Sequence, residues 1–189
     1  MNKKKCMIIV LLLLSTGIFA YDTIDSFLGI NFYEKREKAE KLMMERPKTF
    51  LITKFEDSTK YSSTFADLEC DATLCFEQNV FVNGFIVITT NEQNALNWIF
   101  EFSQIFIKKY GEINDYGEMN GVFGKELIYC WKDNKNAEIV CEKRPVILMK
   151  TKEGWNDNWG VFIRYYSTQY INKRNGETEE KRKQIEKDF

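Results

Sequence analysis

Leu74-Cys75-Phe76-Glu77-Gln78-Asn79-Val80-Phe81-Val82-Asn83-Gly84-Phe85-Ile86-Val87-Ile88-Thr89-Thr90 is the stretch whose reading sets the fold class. It is dense in β-branched and aromatic residues, the side chains that fit a pleated, half-buried surface. Asn83-Gly84 in its middle is a strong short hairpin signal, because both central positions of a type I′ turn need positive φ. The expectation is a hairpin of strands 74–82 and 85–90. Two further strand-like runs precede it, over 49–55 and 62–70.

Helical patterns bracket these strands. Over 34–45, Ala39, Leu42 and Met43 recur at helical spacing among charges, and Pro47 stops the run. Its narrow apolar stripe suits a helix lying on a sheet. A longer helix is expected over 91–110, with Thr90 and Gln93 spaced as a capping box and Gly111 as the C-terminal stop. Lys108 and Lys109 fall in its last turn, opposing the negative end of the helix dipole. Its core face is Ala95, Ile99, Phe102 and Phe106, widened by Leu96, Trp98 and Ile105. A Gly-rich turn region at Gly117, Gly121 and Gly124 leads into strands expected over 125–132, 137–142, 146–150 and 161–167.

The order is thus one helix and four strands, then one helix and four strands. Antiparallel meanders with helices on one face make an α+β class. The domain expected is 21–174, with halves 21–90 and 91–174, followed by a charged helical or disordered tail over 175–189. In that tail Glu177/Lys181 and Glu179/Lys183 are i,i+4 pairs, and little is offered for burial.

At the other end, Lys3-Lys4-Lys5 precedes an apolar run over 7–14, then Ser15-Thr16-Gly17-Ile18-Phe19-Ala20 before Tyr21-Asp22. That is the layout of a secretory signal peptide with its cut between Ala20 and Tyr21. Residues 7–20 fall short of the roughly 20 apolar residues that span a bilayer, so no transmembrane segment is expected after cleavage. Residues 1–20 hold three lysines and no acid. The remaining 169 residues therefore carry 24 basic and 28 acidic side chains, a net charge of −4, against −1 for the whole 189-residue chain. The expected location is secreted or periplasmic.

An oxidising compartment gives the four remaining cysteines, Cys70, Cys75, Cys130 and Cys141, a reason to pair. Cys70 and Cys75 flank a short connection at 71–74. Cys130 and Cys141 flank a turn near 133–136, and positions summing to an odd number share a face if the hairpin is built about that sum. Two local disulfides, 70 to 75 and 130 to 141, are the expectation. The alternatives are four buried thiols, or a four-cysteine zinc site that lacks any Cys-x-x-Cys.

Composition narrows the chemistry further. The chain has no histidine, which removes Ser-His-Asp and Cys-His nucleophilic sites and imidazole metal ligation. Ser-x-x-Lys, Gly-x-Ser-x-Gly and phosphate-cradling Gly-rich loops are absent from the sequence. Balanced charge without a basic stripe gives no reason to expect nucleic acid. Neither a metal nor a cofactor is expected. The loop Trp155-Asn156-Asp157-Asn158-Trp159-Gly160 is the binding candidate: Trp155 and Trp159 combine large apolar area with one donor each, suited to a sugar or a partner's pocket. Asp157 alone is a poor calcium ligand set. The same loop could instead be a turn with both indoles folded over the sheet edge.

Phe27-Leu28-Gly29-Ile30 before the first helix and Lys109-Tyr110-Gly111 ending the second carry a resemblance. In element order the chain resembles small exported bacterial proteins with the β-lactamase-inhibitor-like arrangement, a helix on a four-stranded antiparallel sheet, often in tandem. It departs from them in lacking a Gly-rich turn after Ile30. The resemblance implies binding of another protein or of an envelope component, without catalysis. The competing expectation is a small hydrolase that uses paired carboxylates on glycan or peptide.

Overall fold

A computed structural model of the chain describes residues 21–121, 124–146 and 158–188. The fold is α+β. Two short strands, β1 (Ser26–Phe27) and β2 (Ile30–Asn31), precede helix α1 (Arg36–Met44) and a meander of β3 (Phe50–Lys54), β4 (Ser58–Phe65), β5 (Leu68–Glu77) and β6 (Val80–Thr90). Helix α2 (Glu92–Tyr110) then leads to a second meander: β7 (Asp115–Gly121), β8 (Gly124–Lys132), β9 (Glu138–Pro145) and β10 (Trp159–Tyr166). Helix α3 (Thr168–Asp188) closes the chain. The two meanders share one antiparallel sheet of eight strands, in the order β3-β4-β5-β6-β10-β9-β8-β7. They join where β6 pairs with β10, with Ile86 opposite Ile163.

Alternation along the strands sorts side chains to two faces. The inner face, under α1 and α2, presents Ala72, Leu74, Ile86, Ile88, Val161, Ile163 and Tyr165, all buried. α1 contributes Ala39 and Met43 to it, and α2 contributes Ala95, Ile99, Phe102 and Phe106. Ile105 departs from the expected wide stripe and is 54% exposed. Asn91 caps α2, its side-chain oxygen accepting from Asn94 N at 2.9 Å, in place of Thr90. Gly111 ends the helix at φ 91°, where a side chain would also strike the Tyr21 ring.

The hairpin expected at Asn83-Gly84 does not form there. The chain reverses at Gln78-Asn79 (φ 49° and 61°) and at Ala66-Asp67 (φ 49° and 63°), pairs with the left-handed backbone of a type I′ turn. Asn83 and Gly84 lie inside β6, opposite Cys75 and Leu74 on one side and Tyr166 and Tyr165 on the other. The aromatic ring of Phe27 lies directly over Gly84, where any Cβ would collide with it. Phe27 is fully buried and meets Tyr165 edge-on at 5.4 Å between ring centroids. Gly84 therefore serves close packing between the N-terminal segment and the sheet.

Gly117 likewise sits within a strand, in β7 opposite Ile128 of β8, and not in a turn. The strand expected over 146–150 lies outside the described residues, apart from Val146, whose N–H reaches Asn158 O. The charged tail is helical, but its helix begins at Thr168, well before the expected 175.

The register also rules out both expected disulfides. Cys70 and Cys75 occupy the same strand, β5. Five residues apart, they are separated by roughly 17 Å and point to opposite faces. Cys130 pairs with Val140, and Cys141 with Tyr129, so these two thiols also face opposite sides of the sheet. All four are free. Burial pushes the thiols up, Cys70 to about 11 and Cys75 and Cys130 to about 12, with Cys141 higher still. They stay protonated at neutral pH, which suppresses thiolate chemistry. No group of candidate ligands that could hold a metal occurs among the described residues.

Candidate functional site: the outer sheet face

The outer face is built by the positions between the core residues. β10 contributes Phe162, Arg164 and Tyr166. β9 contributes Glu138, Val140, Glu142 and Arg144, while β6 contributes Asn83, Phe85, Val87 and Thr89. Among the described residues, the element packed on this face is the start of α3, at one end of the strands. Tyr170 stacks on Tyr166 with centroids 5.3 Å apart and planes 11° from parallel. Arg174 donates to Glu138 at 3.3 Å, and Lys173 pairs with Glu77 at 3.1 Å. Ile171 is buried, whereas residues 172–183 are exposed.

At the centre of this face, half-buried Phe162 lies between two arginines. The Arg144 guanidinium is 4.0 Å from its ring centroid, and that of Arg164 is 5.9 Å away. Glu142 sits beside both, 2.8 Å from Arg164 and 3.9 Å from Arg144. Cation–π contacts and ion pairs of this kind hold long side chains in a fixed shape. Apolar surface continues from this centre to Ile128, 41% exposed, and Met119, 61% exposed, near the β7 edge.

Nearer α3, Cys130 donates its thiol proton to Glu138 at 3.1 Å, and that carboxylate also receives Arg174. The thiol is thereby a fixed part of the helix mooring. The opposite edge, β3, exposes Phe50, Leu51 and Ile52.

Trp159 does not belong to this surface. It starts β10 on the inner face, is 2% exposed, and lies under the Lys143 ammonium at 3.7 Å from the ring centroid. Lys143, itself 2% exposed, donates to Glu92 at 3.0 Å and to Lys125 O at 2.7 Å. This tryptophan is a core residue that also shields a buried cation. Trp155, Asp157 and Ala20 lie outside the described residues. Tyr21 is half exposed beside Gly111, and the neighbouring Asp22 N–H donates to Lys109 O at 2.9 Å.

Sequence reasoning missed Arg144, Phe162 and Arg164. The signal was present in β10, where Phe162, Arg164 and Tyr166 alternate with Val161, Ile163 and Tyr165. No family model, curated protein or solved structure matches the chain. No described helix is long and apolar enough to cross a membrane.

Proposed function

We propose that this is an exported, non-catalytic protein that binds a protein or envelope component through the outer face of its sheet. The observation that carries the reading is the fixed Arg144–Phe162–Arg164 arrangement at the centre of a sheet face that the two packed helices leave open. Aromatic and arginine side chains dominate binding energy in protein interfaces, because they offer large area and several donors at low ordering cost. Export is supported by the basic, apolar and small-residue order of residues 1–20.

A carboxylate-dependent hydrolase needs an acid whose pKa is raised. Where surroundings move a carboxyl among the described residues they move it down. At Glu40 burial works upward but is outweighed by hydrogen bonds from Lys54, Thr59 and Arg36. At Glu118 the bonds from Lys125 and Tyr116 lower it. The β-lactamase-inhibitor-like resemblance points to binding as well.

The test compares the wild-type chain with an Arg144→Ala/Phe162→Ala double variant as bait in the native envelope fraction. One component retained stoichiometrically by wild type and lost by the variant, with melting temperature unchanged, is the expected result. Equal retention by both removes this face from the reading.

A further inference from the structure

One feature of the outer face is a groove of about 350 Å³ between the sheet and the first turn of α3. Its floor includes Asn83, Phe85 and Arg164, its wall is the Tyr166–Tyr170 stack, and Asp57 stands at its rim. The volume lies in the range that accommodates a small ligand or a large side chain.

Asn83 is only 9% exposed, and among the described residues no protein group bonds its side-chain amide. Unlike the Tyr61 hydroxyl or the Trp131 indole N–H, which are buried without a partner, its amide keeps contact with solvent. A strand interior also disfavours asparagine. Asn83 lines the groove with an amide that is open to a ligand there.

Charge in the groove is uneven. Arg164 is answered by Glu142 at 2.8 Å, and Glu77 by Lys173 at 3.1 Å. Asp57 accepts from the Ser58 hydroxyl at 3.1 Å but has no cation opposite it among the described residues. Its negative charge is felt on the groove floor, where it helps to push up the Cys75 thiol after burial has done most of the work. The aromatic wall already meets a guanidinium, Arg174 lying 5.5 Å from the Tyr166 ring centroid.

We infer that the groove receives an arginine side chain of the bound protein, whose guanidinium stacks on the tyrosine wall and donates to the Asn83 side-chain oxygen and the Asp57 carboxylate. A planar, multiply donating cation matches a carboxylate, an amide oxygen and aromatic faces together, and a lysine ammonium does so less well. The inference takes from the proposed function only the source of the arginine.

The experiment follows the Asn83 side-chain amide by NMR in the isotopically labelled chain while acetyl-arginine-N-methylamide is added, with the uncharged acetyl-citrulline-N-methylamide as control. A saturable shift is expected with the arginine compound and none with citrulline. Asp57→Asn, a rim change that leaves the core untouched, should weaken the response by up to about fivefold, the upper end for one exposed ion pair. Equal response to citrulline, indifference to Asp57→Asn, or silence at Asn83 overturns the inference. Loss of the groove response with partner retention intact at Phe162 condemns the groove alone. Arginine binding without partner retention condemns the reading of the face.

Discussion

The inner and outer faces of the eight-stranded sheet are built by the same strands, one residue out of step. In β10, Val161, Ile163 and Tyr165 go under the helices, while Phe162, Arg164 and Tyr166 stay on the open side. The inner set is apolar and closely packed, and the Phe27 ring fills the space that Gly84 leaves. The outer set holds its shape with ion pairs and cation–π contacts. On the proposed reading the contrast separates two jobs by parity: inner positions set whether the chain folds, and outer positions set what it touches.

The sharpest way to break that contrast is to empty the inner face. Phe27→Ala removes a fully buried ring and should cost about 3–5 kcal/mol of unfolding free energy, read from urea denaturation. Gly84→Ala attacks the same contact from the strand. It should cost about 1–3 kcal/mol through overpacking, and Phe27→Leu should recover part of that loss by shortening the ring. If Gly84→Ala is neutral, the role assigned to this glycine is wrong.

Acid titration probes the polar margin of the inner face. Glu40 is held below its ordinary 4.5, since hydrogen bonds from Lys54, Thr59 and Arg36 outweigh the upward effect of burial. A depressed carboxyl contributes stability that is fully present above its unfolded value and is lost as pH falls through the lower folded value. Stability of the wild-type chain should therefore fall below about pH 4.5. Glu40→Gln should be less stable at neutral pH and flatter over that acid range. Parallel curves for the two proteins would contradict the assignment.

The smallest stability effect is expected on the outer face. Arg144→Ala/Phe162→Ala, at two half-buried positions, should cost less in unfolding than Phe27→Ala, because both side chains keep contact with solvent. A larger loss would show that the face is structural and that the separation by parity fails.

Much of this contrast was legible in the sequence and some was not. The α+β class and the core stripe of Ala95, Ile99, Phe102 and Phe106 follow from periodicity, a local property. The turns were misread because Ala66-Asp67 and Gln78-Asn79 adopt positive φ without glycine, whereas Asn83-Gly84 has turn chemistry used for another purpose. Gly84 answers to Phe27, 57 positions earlier, and no local pattern reveals that. The cysteine pairings failed for a related reason: a register set by the real turn at 78–79 leaves Cys70 and Cys75 on one strand. The outer-face cluster was hidden because Arg144 and Phe162 meet only through the pairing of β9 with β10, and because Trp159, the conspicuous aromatic, is spent on the core.

The proposed reading places the partner on the outer face of the sheet and not on the helix-covered side. It is tested most directly by placing a photo-crosslinking amino acid at Phe162 in one chain and at Phe100, exposed on α2, in another, then irradiating both in the native envelope. One discrete adduct is expected from position 162 and none from position 100. An adduct from position 100 alone, or silence from 162, would contradict it.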